Sequence, residues 1–84
     1  MVHKTEMDHY DGGIPQLAND LGDLRYDALA DFLRQLSAKI ETDGDKDQAR
    51  NRVQLAKQLH QCASDLSAAA SSIDRAWKIS EPYM

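Results

Sequence analysis

The sequence predicts an all-α protein: an antiparallel two-helix hairpin with a short, kinked N-terminal helical extension, which dimerises into a four-helix bundle. Three observations predict this fold. Apolar residues in the second half of the chain recur at alternating steps of three and four, which places them in one seam on a single helix. Two apolar rows with the same helical spacing run through residues 17–40. The polar segment between the two halves carries the composition of a turn.

The seam of the second predicted helix alternates small and bulky side chains: Ala56, Leu59, Ala63, Leu66, Ala70, Ile73 and Trp77. Alanine at every other position lets a second helix approach closely, because the distance between packed helices is set by the side chains at their contact. A flanking row, which repeats every seven residues, widens the seam: Leu55, Cys62, Ala69 and Ala76. The pattern predicts a helix that lies against other helices.

The first predicted helix runs from about residue 15 to about residue 41, with a break near Gly22. Pro15 suits the first turn of a helix, where its missing N–H is not needed. Gly22 interrupts the helix because an interior glycine costs about 1 kcal/mol relative to alanine. Residues 1–13 precede this helix and are predicted to form a flexible polar arm.

The turn of the hairpin is predicted over residues 42–45, directly after the apolar residue Ile40. Gly44 can adopt the left-handed conformation that closes a helix, and Asp45 can cap the next helix together with Gln48. The second helix is then expected from about residue 46 to about residue 79. The first helix and this second helix form a single domain over residues 14–84.

With the turn at 42–45, Phe32 is expected opposite Ala56. The residues predicted to hold the hairpin together are Leu24, Ala28, Phe32, Ala56, Leu59, Ala63, Leu66, Ala70, Ile73 and Trp77. Both helices have apolar surfaces wider than one partner helix can cover, so the remainder predicts an interface with another chain. The residues assigned to that interface are Tyr26, Leu29, Leu33, Leu36, Ile40, Leu55 and Cys62.

Composition and charge exclude several classes of function. Only 6% of the 84 residues are aromatic, and the net charge is −4. Residues 1–45 hold ten acidic and four basic residues, net −6, whereas residues 46–84 hold four acidic and six basic residues, net +2. An acidic chain lacks the strongly basic surface of a general nucleic-acid binder. Without a long apolar run or a second cysteine, the sequence predicts neither a membrane span nor an internal disulfide and favours a cytoplasmic location.

Two acidic groups in the sequence have the composition of metal sites. Asp43, Asp45 and Asp47 resemble the start of a calcium-binding loop, but the chain lacks the glycine and glutamate that such a loop needs at its sixth and twelfth positions. A row of aspartates lies along the first predicted helix: Asp20, Asp23, Asp27 and Asp31. Di-metal bundles use a Glu-x-x-His motif that does not occur here, so the row is interpreted as a solvated stripe. We assign no catalytic, cofactor-binding or metal-binding residues and no small-molecule substrate.

The sequence therefore predicts a non-catalytic helical interaction module, such as a small adaptor, regulator or assembly factor, whose partner is a second copy of itself or another helical protein. The alternative is a nucleic-acid-associated regulator that uses the basic start of the second helix, at Lys46, Arg50, Arg52 and Lys57. A third interpretation is a metal-dependent enzyme that uses the aspartate row. Replacing Arg50 and Arg52 by Glu separates the first two, because only the second requires these charges for binding.

Overall fold

The computed structural model describes residues 3–83 and contains three α-helices: α1 (Ile14–Gly22), α2 (Tyr26–Ala49) and α3 (Val53–Ser80). A 3₁₀ turn, Glu81–Tyr83, follows α3. The helices α2 and α3 pack against each other along their length and run antiparallel, so the predicted all-α hairpin is confirmed. Within residues 3–83 there is no β-strand. Met1, Val2 and Met84, which belong to the predicted arm and C-terminus, lie outside the described residues.

The helical path is interrupted after Gly22, where the sequence predicts a break. Pro15 lies in the first turn of α1, and α1 closes with a hydrogen bond from the Asp23 N–H to the Asn19 carbonyl at 3.0 Å. The Leu24 N–H then bonds the Leu21 carbonyl at 3.2 Å. The chain resumes a helical course at Tyr26, and the long first arm of the hairpin is α2 alone.

The turn predicted over residues 42–45 is wrong, because α2 continues through it to Ala49. Gly44 does not take a left-handed conformation. It lies in the helix interior, buried against α3, where a Cβ atom would come within 2.5 Å of the His60 ring. This glycine therefore serves the close approach of two helices, a function that a local turn pattern does not reveal.

The observed turn is formed by Arg50, Asn51 and Arg52. Asn51 has φ of 61°, a left-handed conformation that asparagine tolerates better than most residues. The Asn51 N–H bonds the Gln48 carbonyl at 3.1 Å, and the Arg52 N–H bonds the Asp47 carbonyl at 2.9 Å. These two bonds define a Schellman motif, with asparagine in the place usually held by glycine.

The core of the hairpin is a seam of small residues spaced seven apart on both helices. Ala30, Ser37 and Gly44 are buried on α2, and Ala56, Ala63 and Ala70 are buried on α3. The Ser37 hydroxyl donates to the Ala63 carbonyl at 2.7 Å, so its other contact, at 2.9 Å, is a bond donated by the Ser67 hydroxyl. A side-chain hydroxyl can reach the backbone of the opposite helix only when the two helices are close.

Moving the turn changes which residues meet across the hairpin. Ser37 lies opposite Ala63, and Arg34 forms an ion pair with Asp74, whereas the predicted register placed Phe32 opposite Ala56. Three residues predicted for the hairpin core are exposed instead: Leu24, Ala28 and Phe32. Leu24 lies between α1 and α2. Ala28 and Phe32 lie on the side of α2 away from α3, because α2 uses its small-residue row for the contact.

The α3 residues predicted for the hairpin core do face α2. Ala56, Ala63 and Ala70 are buried, and the larger side chains beside them are half-buried: Leu59, Leu66, Ile73 and Trp77. At the open end of the hairpin the Arg25 guanidinium lies over the Trp77 ring, 5.3 Å from its centroid, a favourable cation–π geometry. Among residues 3–83, no helix has the length and apolar character needed to cross a membrane.

Enlarging the seam tests whether close approach holds the hairpin together. We expect Ala63→Leu to lower the free energy of unfolding by about 1–3 kcal/mol, because the extra atoms must push the two helices apart. Ala68→Leu is the matched control, since Ala68 lies on the same helix but is exposed, and it should change stability by less than about 0.5 kcal/mol. Urea unfolding followed by circular dichroism measures both, and equal effects would contradict the close-packed seam.

Candidate functional site

The hairpin has one side rich in large apolar side chains, which we call the apolar face. It consists of residues beside the small-residue seam: Leu29, Leu33, Leu36 and Ile40 on α2, with Leu55, Leu59, Cys62, Leu66 and Ile73 on α3. Helical geometry places each set in one row at steps of three and four. The two rows lie on the same side of the hairpin, because Ile40, Leu55 and Leu59 line a single groove of about 340 Å³.

The opposite side, which we call the polar face, carries the hydrogen bonds and ion pairs that join the two helices. Its residues line a second, open groove of about 360 Å³ that includes Arg34, Glu41, His60, Ser64 and Ser67. The ion pair of Arg34 with Asp74 and the bond from His60 to Asp45 belong to this side. The hairpin is therefore amphipathic across its thickness, since its apolar and polar side chains lie on opposite sides.

The structure brings most of the predicted interface residues together on the apolar face. Leu29, Leu33, Leu36 and Ile40 are half-buried there, with Leu55 and Cys62 exposed across from them. Tyr26 is half-buried at the first residue of α2, at the open end of the hairpin. Leu59, Leu66 and Ile73, which were assigned to the hairpin core, contribute to the same face.

None of the larger side chains between residues 3 and 83 is fully buried. The buried apolar residues are four alanines, Ala30, Ala56, Ala63 and Ala70. By contrast, Leu55 is 47% exposed, and the leucines beside it remain half-exposed. The two-helix packing thus uses the smallest apolar side chains for its centre, and the larger side chains of the apolar face lie at its margin.

Charged side chains surround the end of the apolar face near the turn. The groove formed by Ile40, Leu55 and Leu59 is also lined by His3, Asp43, Lys46, Asp47, Arg50 and Arg52. The Arg52 guanidinium lies 3.3 Å from the Asp47 carboxylate, and a hydrogen bond from Lys39 lowers the pKa of Asp43. Basic residues of the predicted nucleic-acid surface therefore lie among acidic neighbours rather than in a uniform basic patch.

The aspartate row is divided between two helices, with Asp20 on α1 and Asp27 and Asp31 on α2, and it forms no cluster of metal-binding atoms within residues 3–83. Asp20 accepts hydrogen bonds from the Tyr10 hydroxyl at 2.6 Å and from the Gln16 amide at 2.8 Å, and both lower its pKa. Asp27 accepts two bonds from Arg25, which lower the pKa of Asp27. These two carboxylates are thus engaged by partners from their own neighbourhoods in the chain, and Asp23 and Asp31 are exposed.

Sequence reasoning missed the contact between Gly44 and His60, which joins the C-terminal part of α2 to α3. The His60 Nε2 atom lies 3.0 Å from Asp45 and 3.9 Å from Glu41. The available signal was the seven-residue spacing of Ala30, Ser37 and Gly44, which matches that of the alanines on α3.

Comparisons of the chain with family models, curated proteins and solved structures find no match.

The contact of Gly44 with His60 generates a double-mutant test. We expect Gly44→Ala to lower the free energy of unfolding by about 1–3 kcal/mol, because the new Cβ meets the imidazole ring. In a His60→Ala background the same substitution should instead raise stability by up to about 1 kcal/mol, through helix propensity alone. Gly22→Ala is the control, since a Cβ there has no neighbour within 4 Å. Equal effects of Gly44→Ala in both backgrounds would contradict the contact.

The bond between Tyr10 and Asp20 predicts a pH dependence. The carboxylate beside Tyr10 raises the pKa of its hydroxyl to about 12, so this stabilising bond is present below pH 10 and is lost as pH rises toward 12. It is also lost as pH falls below the ordinary aspartate range through the lowered pKa of Asp20. In an absorbance titration of phenolate, Asp20→Asn should bring Tyr10 back toward the ordinary tyrosine range, whereas Asp23→Asn should not. An unchanged titration in Asp20→Asn would contradict the bond.

Proposed function

We propose that this chain is a non-catalytic helical interaction module whose apolar face binds the same face of a second copy. The observation that carries the proposal is the placement of large apolar side chains. They lie in two parallel rows at the margin of the hairpin, on one side, where most are half-buried and Leu55 is exposed. A single hairpin has no further helix with which to cover them, and the short α1 makes little contact with α2 or α3.

The surface area of the chain supports a missing partner. It exposes 6565 Å², whereas a compact monomer of the same mass would expose about 5,000 Å². The excess is on the order of 1,500 Å², and a standard interface buries about 800 Å² on each partner. The radius of gyration, 15.2 Å, also exceeds the value of about 12 Å typical of a compact domain of this length.

A second copy is the partner that the geometry favours. Two hairpins that meet by their apolar faces would place the rows Leu29–Ile40 and Leu55–Ile73 in the centre of a four-helix bundle, with both polar faces in solvent. A two-fold axis closes such an assembly with one self-complementary surface and leaves no apolar face open. The amphipathic division of the hairpin supports this arrangement, because both apolar rows lie on one side of the small-residue seam.

The alternative functions have less support in the contacts. The basic residues of the turn lie beside Asp43 and Asp47, and Arg52 is paired with Asp47, so their field on a phosphate backbone is weakened. In the aspartate row, Asp20 and Asp27 each bond a neighbouring side chain. A catalytic divalent ion at this row would have to displace those partners.

Matched charge substitutions on α3 test the proposal. Leu55 is 47% exposed and Val53 is 51% exposed, but two residues of helix place them on opposite sides of α3. We expect Leu55→Glu to convert a dimer into a monomer, because the carboxylate would be buried in the interface without a partner. Val53→Glu should leave the dimer intact. Light scattering over a concentration series measures the mass of each protein.

The proposal fails if the wild-type chain stays monomeric at millimolar concentration, or if both substitutions have the same effect. Helical content from circular dichroism separates loss of association from loss of folding. Both side chains are about half exposed in the single chain, so neither substitution should unfold the hairpin. The native Cys62, the only cysteine of the chain and exposed, accepts a spin label that reports the distance between copies directly.

A further inference from the structure

Three side chains with metal-binding atoms meet on the polar face, away from the proposed dimer interface. Glu41 and Asp45 lie one helical turn apart on α2, and His60 reaches them from α3. The His60 Nε2 atom is 3.0 Å from the Asp45 carboxylate and 3.9 Å from the Glu41 carboxylate. One ligand atom from each residue lies within 4.8 Å of the other two. No other group of this kind occurs among residues 3–83.

The packing of the two helices determines where the imidazole lies. Gly44 is buried directly beneath the ring, and a Cβ at this position would come within 2.6 Å of Nε2. The missing side chain creates the space that the ring occupies, beside the carboxylates of Glu41 and Asp45, which are three residues before and one residue after Gly44 on α2. The His60 side chain is 35% exposed, and its ring lies against Gly44 of the opposite helix.

We propose that Glu41, Asp45 and His60 bind one divalent transition-metal ion of the zinc class, which bridges α2 and α3. Zinc is bound in proteins by imidazole nitrogen at about 2.0–2.1 Å and by carboxylate oxygen at about 2.0–2.2 Å. The three atoms here are close enough for side-chain rotation to bring them around one ion. In the bound form the metal takes the position of the hydrogen between Nε2 and Asp45, and the Nδ1 atom of the ring carries the proton.

The chemistry of the donor set selects the class of ion. Calcium takes six to eight oxygen ligands, and magnesium keeps several waters around an octahedral site. One imidazole with two carboxylates suits zinc instead. The two carboxylates also match the charge of a dication. The groove that runs past Glu41 and His60 is open, so solvent can supply the remaining ligand.

A bound ion would join the two arms of the hairpin near the turn, since Asp45 lies in the last two turns of α2 and His60 lies in the first turns of α3. Its ligands come from both helices, and residues 46–59 separate Asp45 from His60. Because an unfolded chain does not hold these three side chains together, the ion binds the folded hairpin preferentially and stabilises it by mass action. The melting temperature should therefore rise progressively with the zinc concentration.

Zinc chloride titrated into the metal-free full-length protein tests the site. We expect one equivalent of zinc by calorimetry for each chain and a rise in melting temperature. His60→Gln and Asp45→Asn should each weaken binding by about tenfold or more, since each removes a direct ligand, and loss of a supporting contact alone costs about 10–100-fold. His9→Gln and Cys62→Ser are matched controls, because they remove potential zinc ligands elsewhere in the chain, and they should leave the affinity unchanged.

Several results would overturn the proposal. They are the absence of saturable zinc binding to the wild-type chain, undiminished binding in a folded His60→Gln or Asp45→Asn variant, and loss of binding in His9→Gln or Cys62→Ser. An equal rise in melting temperature with calcium would overturn the assignment to a transition metal. Because Glu41, Asp45 and His60 lie on the polar face, the result is independent of whether Leu55→Glu dissociates a dimer.

Discussion

The close approach of α2 and α3 is the constraint from which the other features of the hairpin follow. It requires small residues every seven positions on both helices, and the chain provides Ala30, Ser37 and Gly44 opposite the alanines of α3. At this separation a serine hydroxyl can bond the backbone of the other helix. The approach also excludes large side chains from the contact, because interior packing has no room for added volume.

Excluding the large side chains from the centre produces the two faces of the hairpin. Leucine and isoleucine flank the seam on one side, and charged and hydroxyl side chains flank it on the other. Hydrophobic burial by alanine alone is small, since burial free energy scales with the apolar area removed from water. The stability of the pair of helices thus depends on the half-buried side chains at its margin.

The sequence analysis predicted the helical hairpin correctly, but it placed the turn, and therefore the register of the two helices, incorrectly. Helical spacing identified the rows Leu29–Ile40 and Ala56–Trp77, because periodicity is a local property. The turn was misplaced because Gly44 has two possible uses. A glycine closes a helix as readily as it admits a neighbouring one, and only the tertiary packing decides between them.

For the same reason, the sequence analysis did not identify the observed turn or the cluster of Glu41, Asp45 and His60. Asn51 adopts the left-handed conformation without the glycine that usually marks it. Once the turn moves to 50–52, Asp45 and His60 become neighbours across the hairpin, although they lie 15 residues apart. Contacts of this kind depend on the register of two helices. If the predicted turn is wrong by a few residues, the residues that form these contacts are not predicted to be neighbours.

A seam of small residues that repeats every seven positions also has a weakness, since it resembles itself after a slide of one repeat, or about 10 Å along the helix. After such a slide, small residues would again meet small residues, and the alanines alone would not distinguish the two alignments. The polar and glycine contacts distinguish the two alignments, because the Ser37 hydroxyl bonds the Ser67 hydroxyl and the His60 ring fits only over Gly44. These two unlike positions within the repeat give the hairpin a single alignment.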